Sequence, residues 1–202
     1  MNIPMNSPDH DFDPDDNFAG SFQPAMEVDV DEDNSTEALV WQLLLLINPG
    51  DEDTALQQFS GYHEVLAESA VGDGQHDEDQ PVWLLKDVID WRSGFFVDAG
   101  DPQSFIDAIT ELAARWNLRI DWGVEDPTDD EFLAATDVPT LMATAYDRLR
   151  EYNYTLWTWD ASGGVDGGEA HAGWITLSRD DEAMQAVAAA LDIELRAGSD
   201  AF

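Results

Sequence analysis

Cysteine is absent from this 202-residue chain, and that absence removes disulfide frameworks, thiolate nucleophiles and sulfur-ligated zinc or iron. Basic residues are almost as scarce. One lysine and seven arginines stand against 44 acids, for a formal net charge of −36. The imbalance is polarised, because residues 1–85 carry 20 acids and no base, Lys86 being the first. A field of that sign repels nucleic acid and anionic lipid and steers basic proteins inward. Direct nucleic-acid binding is therefore not expected, and a basic protein is the expected partner. The same excess would also suit solvation in a high-salt cytoplasm. Long apolar runs are missing as well: the longest, residues 39–47 with Gln42 inside it, is about half of a membrane-spanning helix. Residues 1–16 hold neither a base nor an apolar stretch, so no secretory signal is expected and the reading is a soluble, cytoplasmic protein without a membrane anchor.

What is present is enough for one core. The chain is 44% hydrophobic with eight Trp and nine Phe, and its length fits one domain. Residues 1–35 are rich in Asp, Pro, Asn and Ser, with Phe12, Phe18 and Phe22 isolated among acids and no sustained period. That composition cannot offset the entropy of ordering, so a disordered acidic arm is expected there. Order begins where Ser35, Thr36 and Glu37 precede ALVWQLLLLI, a helix that Asn48, Pro49 and Gly50 stop. Asp51, Glu52 and Asp53 put negative charge at the start of a second helix, which predicts a helical hairpin. A polar linker at 72–80 follows, then a short helix from Pro81 through Trp91.

Beyond residue 93 short apolar runs alternate with stretches of helical period. Strands are predicted at 94–98, 119–122, 154–160, 173–178 and 193–196, and helices at 102–116, 138–152 and 181–191. The segments starting SGFFVDAGDPQSF and AGWITLSRDDEAM form an internal repeat, each reading as a βαβ unit, and a Gly-rich turn joins the strands at 154–160 and 173–178 as a hairpin. The expectation is a single α/β domain of the α+β kind over 36–202, helical over 36–92 and sheet-containing over 93–202. From Arg119 onward the order βαββαβ predicts a ferredoxin-like half, with an additional βα unit before it.

Five blocks, NPGDED, LLKDVIDWRSGFFVD, DWGVEDPTDDEFL, YTLWTWD and AGW, carry a resemblance over roughly residues 37–174. The chain resembles a family of short bacterial proteins with a domain of unknown function. The resemblance implies no catalytic residue, and the acidic arm lies outside its span.

The residues offer few chemical sites. Asp121, Glu125 and Asp126, followed by Asp129, Asp130 and Glu131, form the densest carboxylate cluster, and hard oxygen ligands suit Mg²⁺ or Ca²⁺. The spacing is not a calcium-loop pattern, and Asp126 before Pro127 fits a helix N-cap as well. Asp98, Asp121 and Asp160 at strand ends could in principle supply a carboxylate pair for hydrolysis. His63 and His171 are the histidines outside the arm and the linker, with His171 able to approach Asp160 across the hairpin near Ser162; no nucleophile-elbow motif accompanies them. Gly163, Gly164, Gly167 and Gly168 join two strands beside Asp166 and Glu169, which is wrong for a phosphate loop. Trp157 and Trp159 share a strand face, with Trp174 on the paired strand, and Trp is the residue of binding hot spots as well as of cores. Most of the eight are expected in the core and one or two at the surface. The reading is thus a non-catalytic acidic binding protein, such as an immunity or inhibitor protein that captures a basic nuclease or nucleic-acid-binding protein. Its binding residues would be Trp157, Trp159, Trp174 and Asp160, with no cofactor. The alternative is a divalent-metal-dependent hydrolase built on Asp121, Glu125, Asp126 and Asp160.

Overall fold

Ser35 starts the first helix: its Oγ accepts the Ala38 N–H at 3.2 Å, and α1 (Thr36–Ile47) runs to Asn48. The computed structural model describes residues 35–69, 81–161 and 169–201, so the expected acidic arm, the linker at 72–80 and the glycine-rich hairpin tip lie outside the described residues. α1 is apolar nearly all round, which suits a helix enclosed by others, and Val40, Leu43, Leu44 and Ile47 are fully buried. Gly50, at φ 81°, turns the chain. Asp51 then accepts the Thr54 N–H at 3.1 Å and its hydroxyl at 2.8 Å, opening α2 (Glu52–Ser69). The two helices pack as the expected hairpin. α3 (Pro81–Val88) ends before the expected Trp91, because the Asp90 carbonyl accepts the N–H groups of Ser93 and Gly94 and turns the chain into the sheet.

Four strands, β1 (Gly94–Asp98), β2 (Tyr154–Asp160), β3 (Ala170–Leu177) and β4 (Leu195–Ala197), pair antiparallel in the order β1-β3-β2-β4. Alternation along each strand divides the sheet into two faces. Trp157, Trp159, Ala172 and Trp174 belong to one core with α1, α2, α3 and α7 (Asp181–Ala190). Phe95, Val97, Leu156 and Ile175 belong to the other, with α4 (Pro102–Ala114) and α6 (Val138–Glu151). The sheet is thus the middle of three layers. Gly173 lies opposite both Phe95 and Thr158, and a Cβ there would collide with the Trp157 carbonyl and come within 2.8 Å of the Phe95 ring.

The mixed α+β composition matches the expectation, but residues 119–122 do not form the expected strand. Ile120 and Trp122 are buried and their neighbours exposed, which is a strand's alternation without a strand's partner. The segment packs with the α4/α6 layer, Trp122 edge-on to Phe105 at 6.3 Å, and the Asp121 carbonyl accepts from Arg148 of α6 at 3.2 Å in place of a ladder bond. The βαββαβ half expected from Arg119 therefore lacks its first strand, and the first βαβ unit of the repeat lacks its second. A helix does follow, α5 (Asp130–Ala135), starting three residues beyond the start that Asp126 and Pro127 suggested. Three of the helices share a common stop. α4, α6 and α7 are followed by Asn117, Asn153 and Asp192 at φ 56°, 64° and 57°, left-handed residues that turn the chain back toward the core. Among the described residues no helix is long and apolar enough to cross a membrane.

Candidate binding site

The turn between α3 and β1 is held from beneath by buried side-chain amides. Asn48, just past α1, donates to the Leu44 carbonyl at 2.9 Å and to Gln58 Oε1 at 2.8 Å. Gln58 Nε2 donates to Ser93 Oγ at 2.8 Å, and that hydroxyl donates to Asn48 Oδ1 at 2.6 Å. The three side chains close a ring, and all three residues are buried. Arg115, at the end of α4, reaches the same place: its Nη1 donates to the Arg92 carbonyl, and its Nη2 lies 3.5 Å from Asp51. Burial pulls the Arg115 guanidinium below its ordinary value while Asp51 opposes that pull. Asp51 itself is held below the usual carboxylate range, first by the Thr54 hydroxyl and then by the Thr54 N–H. Satisfied networks of this kind fix one geometry, since each member left unpaired in a buried setting is costly. The geometry fixed here is that of residues 90–93.

Trp91, held in that turn, is 63% exposed, the most exposed large apolar residue among those described. Beside it, Phe96 on β1 is 47% exposed, between the buried Phe95 and Val97. Both line a groove of about 260 Å³, together with Lys86, Ile89, Ala108 and Glu111 of α4, Trp159 and Trp174. Lys86 lays its ammonium over the Phe96 ring, 4.6 Å from the centroid, and Arg92 stands 5.7 Å from the Trp91 centroid. Rigidly presented aromatic surface with a polar rim is the anatomy of a protein contact site.

The tryptophans singled out from sequence are core residues: Trp157, Trp159 and Trp174 are 3%, 4% and 1% exposed. Trp157 donates its indole N–H to Thr176 at 2.9 Å, whereas the buried Trp174 Nε1 finds no acceptor among the described residues. Trp159 and Trp174 reach the groove, and Trp157 is not among its lining residues. Asp160 closes β2 opposite His171 in the register, as the hairpin reading expected of their backbones. Ser162 and the four tip glycines lie outside the described residues. Trp91 was not among the binding residues expected from sequence; its signal was its place at an element end, between a helix stop and a strand.

The carboxylates of the metal alternative are engaged in turns. Asp121 accepts the Gly123 N–H at 2.9 Å, and Asp126 accepts the N–H and hydroxyl of Thr128 at 2.9 and 2.7 Å. Asp126 is not the helix cap. Pro127 and Thr128 form a turn, and Asp129 caps α5 through the Glu131 and Phe132 N–H groups. Among the described residues no group of three or more His, Asp or Glu is placed to hold a metal ion. His63 stacks edge-on with Phe59 at 4.6 Å and lies 3.9 Å from Glu37.

No curated protein and no solved structure matches this chain. A family described as Domain of unknown function (DUF6630) does match, over residues 39–198, a span that contains the buried ring, the groove and the whole sheet. The chain belongs to that family.

Proposed function

We propose that this is a non-catalytic binding protein that captures a basic protein partner through the groove bounded by Trp91 and Phe96. The observation that carries the reading is Trp91: a large aromatic side chain exposed to solvent on a turn that buried amides hold in place. Exposed aromatics immobilised before contact lose little entropy on binding, which makes them efficient anchors. The net charge of −36 supplies long-range attraction for a partner of opposite sign. An immunity or inhibitor protein acting on a nuclease or another nucleic-acid-binding protein in the cytoplasm is the concrete form of this role. Such a partner carries the positive surface that this field attracts.

The test is capture from a lysate at low salt, followed by titration of the purified captured protein against wild type and Trp91→Ala. The proposal expects one saturable basic partner whose affinity drops by about 2 kcal/mol or more on losing the Trp91 ring. Binding that never saturates, or that ignores the Trp91 ring, would reduce the charge to solvation and end the proposal.

A further inference from the structure

The groove runs along β1, and among the described residues β1 is an edge of the sheet, paired on one side with β3 and on the other with no strand. Its hydrogen-bonding pattern can be read from the register. The Ala99 N–H donates to the Glu169 carbonyl at 3.0 Å, which makes that pair a hydrogen-bonded one one step past the end of β1. Bonded and non-bonded pairs alternate along an antiparallel ladder. Phe95 and Val97 therefore bond to β3, and Gly94, Phe96 and Asp98 point their polar backbone groups away from it. Two of these outward groups are already used: the Gly94 N–H donates to the Asp90 carbonyl at 3.1 Å, and the Asp98 carbonyl accepts from Asp101 at 3.1 Å. The Gly94 carbonyl, both Phe96 groups and the Asp98 N–H have no protein partner among the described residues.

An open row of donors and acceptors beside an exposed aromatic is a template for an extended chain. Charge selects which chain. A second copy would bring another −36 against the first, and a nucleic acid or an anionic surface would be repelled likewise. Acids flank the open edge, with Asp98 on β1 itself and Glu111 on the groove wall. We infer that an extended, basic segment of a protein partner adds to the sheet as a fifth strand along β1, bonding both Phe96 backbone groups and seating one apolar side chain against Phe96 and Trp91. This rests on the capture reading above and specifies its geometry. Lys86 lies over the Phe96 ring and Arg92 against the Trp91 ring, so the segment's own bases belong away from these two cations, toward Asp98 and Glu111, with the apolar residue at the aromatics.

The probe is a labelled, end-blocked peptide KTKTFTKTK, measured by fluorescence anisotropy against the full chain. Beside it runs the same peptide with its central three amides N-methylated, which keeps charge and side chains but removes the strand-forming donors. The protein variant is Phe96→Pro, which deletes an outward N–H the β3 ladder does not use; edge strands accept proline for that reason. It is read against Phe96→Ala, which loses the ring and keeps that N–H. Saturable binding is expected of the plain peptide, with new hydrogen-exchange protection at the Phe96 and Asp98 amides. The methylated peptide should bind at least ~10-fold more weakly than the plain one, and the Phe96→Pro protein at least ~10-fold more weakly than Phe96→Ala. Equal binding of plain and methylated peptides, or no saturable binding of the plain one, overturns strand addition. If Phe96→Pro loses its near-UV circular dichroism, the methylated peptide alone decides. Equal binding that still weakens with salt would leave capture by charge standing while strand addition falls; equal binding indifferent to salt would count against both.

Discussion

Gly173 carries the tightest steric requirement in the sheet, and Gly173→Ala should cost about 3 kcal/mol, because its Cβ has only the Trp157 carbonyl and the Phe95 ring to push against. Chemical denaturation reads this directly; an unchanged midpoint would mean that β3 can shift away from Phe95. Ser93 makes a different prediction. Ser93→Ala removes the hydroxyl that bridges Gln58 and Asn48, leaving Gln58 Nε2 its 3.4 Å bond to Asp90 and Asn48 Oδ1 its 3.3 Å bond from Arg115, which should cost about 1 kcal/mol and loosen the turn that presents Trp91. Partner binding should weaken with it, although Ser93 itself is buried. At this scale the sequence was legible in part. Alternation placed Trp157, Trp159 and Trp174 on one face, and they share it. Alternation cannot say that α1, α3 and α7 would lie over that face, so it could not separate buried tryptophans from an exposed Trp91. The ring of Asn48, Gln58 and Ser93 was equally invisible, since it joins residues 45 positions apart.

Helix ends were the most readable elements and the segment 119–122 the least. Ser35, Asp101 and Asp137 each accept a backbone N–H at the start of α1, α4 and α6, where their residue type predicts a cap. The Ser104 hydroxyl first, and then the Ser104 N–H, hold the Asp101 carboxyl below the ordinary range. A depressed folded value stabilises the fold above the unfolded carboxylate value of about 3.9 and loses that contribution as pH falls through the folded value. Asp101→Asn, which can still cap, should therefore flatten the decline of stability below about pH 4. Asp101→Ala should lower stability at neutral pH by about 1 kcal/mol. If Asp101→Asn and wild type lose stability in parallel on acidification, the cap's charge plays no part. Residues 119–122 misled because alternating burial is a property of any extended segment lying on a core. Only a neighbouring strand makes it a strand, and here Arg148 supplied the carbonyl's partner instead.

For the molecule as a whole, the excess of acids acts on folding and on binding with opposite consequences. Like charges destabilise the compact state, so the thermal midpoint should rise as salt goes from about 0.02 to 1 M, equally in NaCl and KCl, because screening does not distinguish the cations. A rise confined to one cation would indicate a bound ion. The same screening should weaken capture of a basic partner, and its kinetics separate the two parts of the account. Association and dissociation rates of the captured partner, followed across that salt range for wild type and Trp91→Ala, test the central claim most directly. The account predicts that salt slows association steeply and leaves dissociation nearly unchanged, while loss of the Trp91 ring speeds dissociation and leaves the salt slope of association intact. Association indifferent to salt, or dissociation indifferent to Trp91, would contradict it.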